Sequence, residues 1–231
     1  MNNSATIDAA IINHFQDSDD VMHGILTSIS IPALPLKQLK THQYFGKLCD
    51  DIISQQLSLK AAATISKRFT DFFDASSVFE LQPEILQTKE PIELRALGLS
   101  MAKANYVIGL AKAVANDEID FATFPSLSDE EIITKLVYLK GIGRWTAEMF
   151  LIFTMGRENV FSWGDLGLKR GLQLIYGATF TPTEEKSLAL VESWAPYKSY
   201  ASLALWAFQD QNKNTEKNYE FNSLRNTRSL H

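Results

Sequence analysis

The sequence has little of what several protein classes require. Its 231 residues include one cysteine, Cys49. That excludes an intrachain disulfide framework, a four-cysteine zinc site and a cysteine-held iron–sulfur cluster. Four histidines beside that cysteine also argue against a His/Cys metal site, so no metal is expected. The scarcity of cysteine points to a reducing, intracellular setting. No apolar run approaches the roughly 20 residues that cross a bilayer. The longest, Met149–Met155 and Tyr200–Phe208, are too short. Met1–Ala10 has no basic segment ahead of an apolar stretch, so neither a secretory signal nor a membrane partner is expected. Gly (11) and Pro (7) are too few for a fibrous or linker-dominated chain.

What is present is the composition of a folded protein. Apolar residues make up 45% and charged residues 21%, which argues against an intrinsically disordered chain. The length suits one large domain or two small lobes, with a core that needs no covalent staples. The net charge of −5 argues mildly against a nucleic-acid partner, but the position of charge matters more than its sum. Met1–Leu36 holds four acids and no Lys or Arg. Between Lys135 and Gly171, by contrast, Lys135, Lys140, Arg144, Arg157, Lys169 and Arg170 outnumber Glu148, Glu158 and Asp165.

Helix signals recur along the chain. Ser58 precedes a stretch with Ala62, Ile65, Phe69 and Phe72 at the 3–4 spacing of a buried helix face. Ser100 precedes another amphipathic stretch. Ser128 and Glu131 form a capping box ahead of Ile132, Leu136 and Leu139. Thr181, Pro182 and Glu184 repeat the device, with proline at the first helical position. Ser199 opens the stretch Tyr200–Phe208. Alternating runs bounded by hairpin turns are missing, so the expected class is all-α. Asp17–Asp20 and Ile31–Pro35 read as loops, and the polar, Asn-rich tail after Gln209 as a loosely packed extension.

The most informative stretch is Leu136-Val-Tyr-Leu-Lys-Gly-Ile-Gly-Arg-Trp-Thr-Ala147. A helix is expected to end near Leu139 and a new one to begin near Arg144. Gly141 and Gly143, on either side of Ile142, permit positive φ and close approach of another backbone. The N–H groups that open the second helix then make an anion site, suited to a DNA phosphate with Arg144 and Lys140 nearby. Taken alone, the Gly-Ile-Gly turn also fits a plain helix–helix connection.

These residues resemble the helix-hairpin-helix of the HhH-GPD superfamily of DNA glycosylases. Val160-Phe-Ser-Trp-Gly-Asp-Leu-Gly-Leu-Lys-Arg-Gly-Leu172 is similar to the segment that supplies that superfamily's catalytic aspartate. Asp165 stands 22 residues after Gly143, as the family pattern requires. Ile52-Ile-Ser-Gln-Gln-Leu-Ser-Leu-Lys-Ala-Ala-Ala63, Leu94–Lys103 and Trp194–Trp206 resemble one branch, the DNA-3-methyladenine glycosylase II enzymes. The likeness runs from about Phe45 to Phe208. It implies a two-lobed helical fold with a cleft between the lobes. Residues 45–157 would form a helical barrel ending in the hairpin, and 1–44 would pack with 158–231 as the other lobe.

The same resemblance implies roles. Asp165 would stabilise the positive charge that builds on deoxyribose as a base departs; as a helix N-cap it also has a purely structural reading. Trp145, Trp206 and Met149 would line a pocket for a flipped-out base, although both tryptophans also fit helix cores. Gly141, Ile142, Gly143, Arg144 and Thr146 would bind the DNA backbone. Gln56 is the first choice, and Leu57 the second, for a wedge that fills the gap left by flipping; capping and packing are the alternative. Lys60 and Lys103 would face phosphates or simply solvent. Bifunctional members carry a nucleophilic lysine where Trp145 stands, so a monofunctional hydrolase is implied.

The expected activity is removal of alkylated purines such as 3-methyladenine from double-stranded DNA, by a monomer, leaving an abasic site. No redox cofactor or catalytic metal is implied, although the family hairpin can hold a monovalent cation on backbone carbonyls. The rivals are a non-enzymatic DNA-binding module built on the same hairpin, or a glycosylase for another lesion.

Overall fold

The computed structural model describes residues 9–28, 39–177 and 184–212, and among these there is no strand. In chain order the α-helices are α1 (Ala9–Ser18), α2 (Asp20–Ser28), α3 (Tyr44–Ser54), α4 (Leu59–Phe72), α5 (Pro83–Leu86), α6 (Pro91–Ala96), α7 (Met101–Ala115), α8 (Asp129–Val137), α9 (Arg144–Phe153), α10 (Leu166–Tyr176), α11 (Glu184–Glu192) and α12 (198–212). The all-α class expected from the sequence is the observed one. The expected loop at Ile31–Pro35, the Thr181–Pro182 start signal and the tail beyond residue 212 lie outside the described residues.

The chain divides into two compact units, one spanning Lys37–Gly156 and the other built from Met1–Leu36 with Arg157–His231. In the first unit α3 packs against α4 and α7, and α8 against α9. The expected caps are in place. Ser58 Oγ accepts from Ala61 N–H (3.3 Å), Ser100 Oγ accepts from Lys103 N–H (3.2 Å), and Ser128 with Glu131 closes a capping box. The serine hydroxyl and backbone at Ser128 hold the Glu131 carboxyl below its ordinary range. Tyr44 meets Phe121 and Phe150 edge-on at 5.9 and 5.1 Å. Phe69 is buried as expected, but Phe72 is 38% exposed, because the apolar face of α4 has turned away from the core by its last residue.

In the other unit Asp19 is the organising residue. The expected loop at Asp17–Asp20 is a one-residue break, with α1 ending at Ser18 and α2 starting at Asp20. Asp19 Oδ1 accepts from Met22 N–H (3.0 Å) and so caps α2. Its Oδ2 accepts from Tyr176 Oη (2.6 Å) and from Trp194 Nε1 (2.7 Å). Burial, then Asp19, push the Tyr176 phenol up from its ordinary value. Ser199 does not open α12 as expected, because the helix begins a residue earlier. Its hydroxyl instead donates to Arg157 O (2.6 Å) and accepts from Val160 N–H (3.0 Å), tying α12 to the incoming chain.

Asp19→Ala strands the indole donor of the fully buried Trp194 and also removes the cap of α2, which costs about 1 kcal/mol. Unsatisfied buried donors cost about 1–3 kcal/mol each. The variant should therefore lose about 2–4 kcal/mol in urea unfolding with an unchanged m-value. A midpoint equal to wild type would remove Asp19 from this structural role.

Candidate functional site

Two groups of predicted residues come together, one in each unit. In the unit that contains α10, Asp165 is the N-cap of that helix. Its Oδ1 accepts from Leu168 N–H (2.8 Å) and from Trp206 Nε1 (3.0 Å). The sequence paired these two residues only through a shared family, and the fold joins them directly. The Trp206 indole N–H thus holds the Asp165 carboxylate in one rotation. Gly167 makes this possible. A Cβ there would stand 2.9 Å from Asp165 Oδ1 and 3.0 Å from the Trp206 indole. Gln209 Nε2 donates to Gly167 O (2.6 Å) and Leu205 O (3.1 Å), tying α12 to the same turn.

The other group surrounds a pocket of about 550 Å³ in the Lys37–Gly156 unit. Trp145, Thr146 and Met149 of α9 line one side, and Asp51, Ser54, Gln55 and Gln56 at the end of α3 line the other. Trp145 is 47% exposed, so it is not a core tryptophan. Thr146 is buried and belongs to the pocket wall. Of the two wedge candidates, Gln56 lines the pocket and Leu57 is exposed beside it in sequence. Gln56 is also strained: its φ of +58° lies in the left-handed region, which costs a non-glycine residue about 1–2 kcal/mol.

Two residues hold this turn in ways that sequence reading missed. Gln55 Nε2 donates to Gly141 O (2.9 Å), linking the turn after α3 to the hairpin. Lys103, expected to face phosphate or solvent, donates through Nζ to Ile53 O (2.8 Å) and Gln55 O. It satisfies carbonyls that α3 leaves open at its C-terminus, and burial lowers its ammonium from the ordinary value. These partners are about 50 to 86 residues apart, and no local pattern signals them.

The hairpin corrects one expectation. Of its two glycines only Gly141 has positive φ (+93°), and a Cβ there would meet the Tyr106 ring at 2.4 Å. Gly143 has φ −91°, and a Cβ there would meet nothing within 4 Å. Gly141 is therefore required by the fold, whereas Gly143 leaves open space at the N-terminus of α9. Its N-cap residue, Gly143, has no side chain to cap that terminus. Ile142 is buried, and its N–H closes the turn on Leu139 O (3.2 Å). The first helix ends at Val137 rather than near Leu139. Arg144 is engaged by acids: Nε donates to Glu148 (2.9 Å), and Nη1 and Nη2 grip Glu130 in a fork. Glu130 is the chief cause of the raised Arg144 guanidinium.

Leu139 O and Gly141 O each accept one hydrogen bond already, which leaves each a second lone pair of the kind a monovalent cation takes. Among the described residues no group of three or more His, Cys, Asp or Glu is placed to hold a metal ion. None of the described helices is long and apolar enough to cross a membrane.

The HhH-GPD superfamily of base excision DNA repair proteins matches residues 49–196. The Bacillus subtilis protein YfjP is 36% identical over 159 residues, covering 67% of this chain and 55% of its own length. The chain thus spans about half the length of that relative. The crystal structure of a Bacillus halodurans DNA-3-methyladenine glycosidase superposes with a TM-score of 0.75 at 31% identity, over 86% of this chain and 88% of that one. The Schizosaccharomyces pombe 3-methyladenine DNA glycosylase Mag1, solved in complex with abasic DNA, gives 0.67 at 28% identity, over 86% and 95%.

The two hairpin glycines should separate in a folding experiment. Gly141→Ala must hold a Cβ at positive φ against Tyr106 and should lose about 2 kcal/mol or more. Gly143→Ala should stay within about 1 kcal/mol of wild type. Equal losses in urea unfolding would contradict this division of labour.

Proposed function

The chain belongs to the HhH-GPD superfamily of base excision DNA repair proteins, and on that premise we propose that it is a monofunctional DNA glycosylase. Its substrate is double-stranded DNA carrying alkylated purines such as 3-methyladenine, and its products are the free base and an abasic site. The observation that carries this reading is the Asp165 carboxylate, held at Oδ1 by the Leu168 N–H and the Trp206 indole.

As the C1′–N bond lengthens, its electron pair leaves with the base and positive charge spreads over C1′ and the ring oxygen. Asp165 offsets that charge without moving, since its donors already fix it. Water then bonds to C1′, and its proton passes to the carboxylate. A cationic alkylated base leaves as a neutral molecule and needs no proton from an acid. Trp145 and Met149 offer the flipped base an aromatic and a polarisable surface, and Gln56 is the wedge. Trp145 stands where bifunctional relatives carry lysine, so no imine forms there. The open N-terminus of α9 at Gly143 takes a DNA phosphate, which competes with Glu130 for Arg144. The protein acts as a monomer, with no redox cofactor. A monovalent cation would be held by backbone carbonyls of the hairpin.

The direct test is to incubate the purified protein with methylated genomic DNA and identify the released bases by chromatography. 3-Methyladenine is expected; its absence overturns the reading. Asp165→Asn should retain folding and DNA binding and lose one to three orders of magnitude in rate, about 1.4–4 kcal/mol. Near-normal turnover by a well-folded variant would remove Asp165 from the chemistry. Trp206→Phe keeps the ring and loses the N–H, so it should slow release several-fold while binding of undamaged DNA stays unchanged. Turnover at the wild-type rate would show that the indole N–H does not position Asp165.

A further inference from the structure

Asp51 has no part in the reaction as proposed, yet it opens onto the pocket. Among the described residues that line this space it is the only ionisable one. It sits on the last turn of α3, facing the side where Trp145 and Met149 lie. Lys47, one turn earlier on α3, pairs with its Oδ1 and does not line the pocket. The pair therefore presents its acidic end to the cavity and its basic end elsewhere. Burial raises the Asp51 carboxyl above the ordinary range, and Lys47 opposes that shift. A partly dehydrated carboxylate interacts with a nearby charge more strongly than one in water.

We propose that Asp51 is a charge-selecting residue of the base pocket. Its carboxylate favours a cationic N-alkylated purine against Trp145 over neutral lesions of the same size. This rests on the glycosylase reading above. Aromatic faces attract both kinds of base by stacking and only modestly prefer the cation. A carboxylate separates them sharply, because it adds attraction for the charged ring and costs desolvation against the neutral one.

The experiment compares single-turnover release of 3-methyladenine, which is cationic in DNA, with release of the neutral base hypoxanthine. Wild type and Asp51→Asn are assayed on matched duplexes. Asp51→Asn should slow 3-methyladenine release by about tenfold, the size of one screened charge interaction, and leave hypoxanthine release unchanged or faster. Asp51→Glu, which restores the charge, should recover part of the loss. Urea unfolding and binding of undamaged duplex identify a folding defect. Parallel loss on both bases, or no loss on either, overturns the assignment while leaving the glycosylase reading intact. Wild-type protein that releases no alkylated base overturns that reading and this one with it. If wild type releases no hypoxanthine, the Asn variant's loss on 3-methyladenine and its rescue by Glu decide the matter, and absence of rescue overturns the assignment.

Discussion

Asp165 Oδ1 accepts two N–H donors, one from the backbone of Leu168 and one from the indole of Trp206, and the packing of α10 on α12 is built around holding both. The indole can reach the carboxylate only if the residue between them has no side chain, and Gly167 occupies that position. Its exposed carbonyl is in turn taken by Gln209, one turn further along α12 than Leu205. Cap, indole, glycine and amide thus depend on one another. A half-buried carboxylate is held in place where donors replace part of its hydration. The cap supplies one such donor at no cost to the helix, since that N–H has no partner within it.

The other unit meets a comparable demand at the end of α3. A helix that stops beside a pocket leaves carbonyls without partners, and a left-handed Gln56 adds strain. Lys103 answers the carbonyls with three donors on a flexible stem, and the Gln55 amide anchors the turn to Gly141. That anchor also fixes the hairpin relative to the pocket wall. The Gly141 carbonyl it uses can point there because positive φ turns the peptide. Strain at Gln56 is therefore kept in place by contacts that also shape the proposed base-binding surface.

The two units hold carboxylates with different surroundings. Asp165 rests on N–H donors and has a proposed task at the sugar. Asp51 is paired with a lysine from its own helix and has a proposed task at the base. The division follows the reaction, in which the base and the sugar carry positive charge at different moments. An alkylated purine is cationic before the bond breaks, and the sugar becomes cationic only as it breaks. A group that recognises the first discriminates between lesions, and a group that stabilises the second sets the rate.

Much of this was legible in the residue order. Caps at Ser58, Ser100 and Ser128, the hairpin between two helices, and Asp165 at a helix start are local signals, because a cap needs only residues within one turn of each other. The all-α class followed from 3–4 periodicity, which is likewise local. The sequence did not tell Gly141 from Gly143, since the difference lies in whether Tyr106, 35 residues away, occupies the space beside them. Nor did it reveal Gln55 on Gly141, Lys103 on the end of α3, or the Trp206 indole on Asp165. It also placed Ser199 at the opening of a helix without showing that its hydroxyl closes on Arg157 and Val160 some 40 positions earlier. In each case one short-range rule allowed several partners for a polar group. The choice among them was made by burial, which permits only the partner that the packed helices bring within about 3 Å.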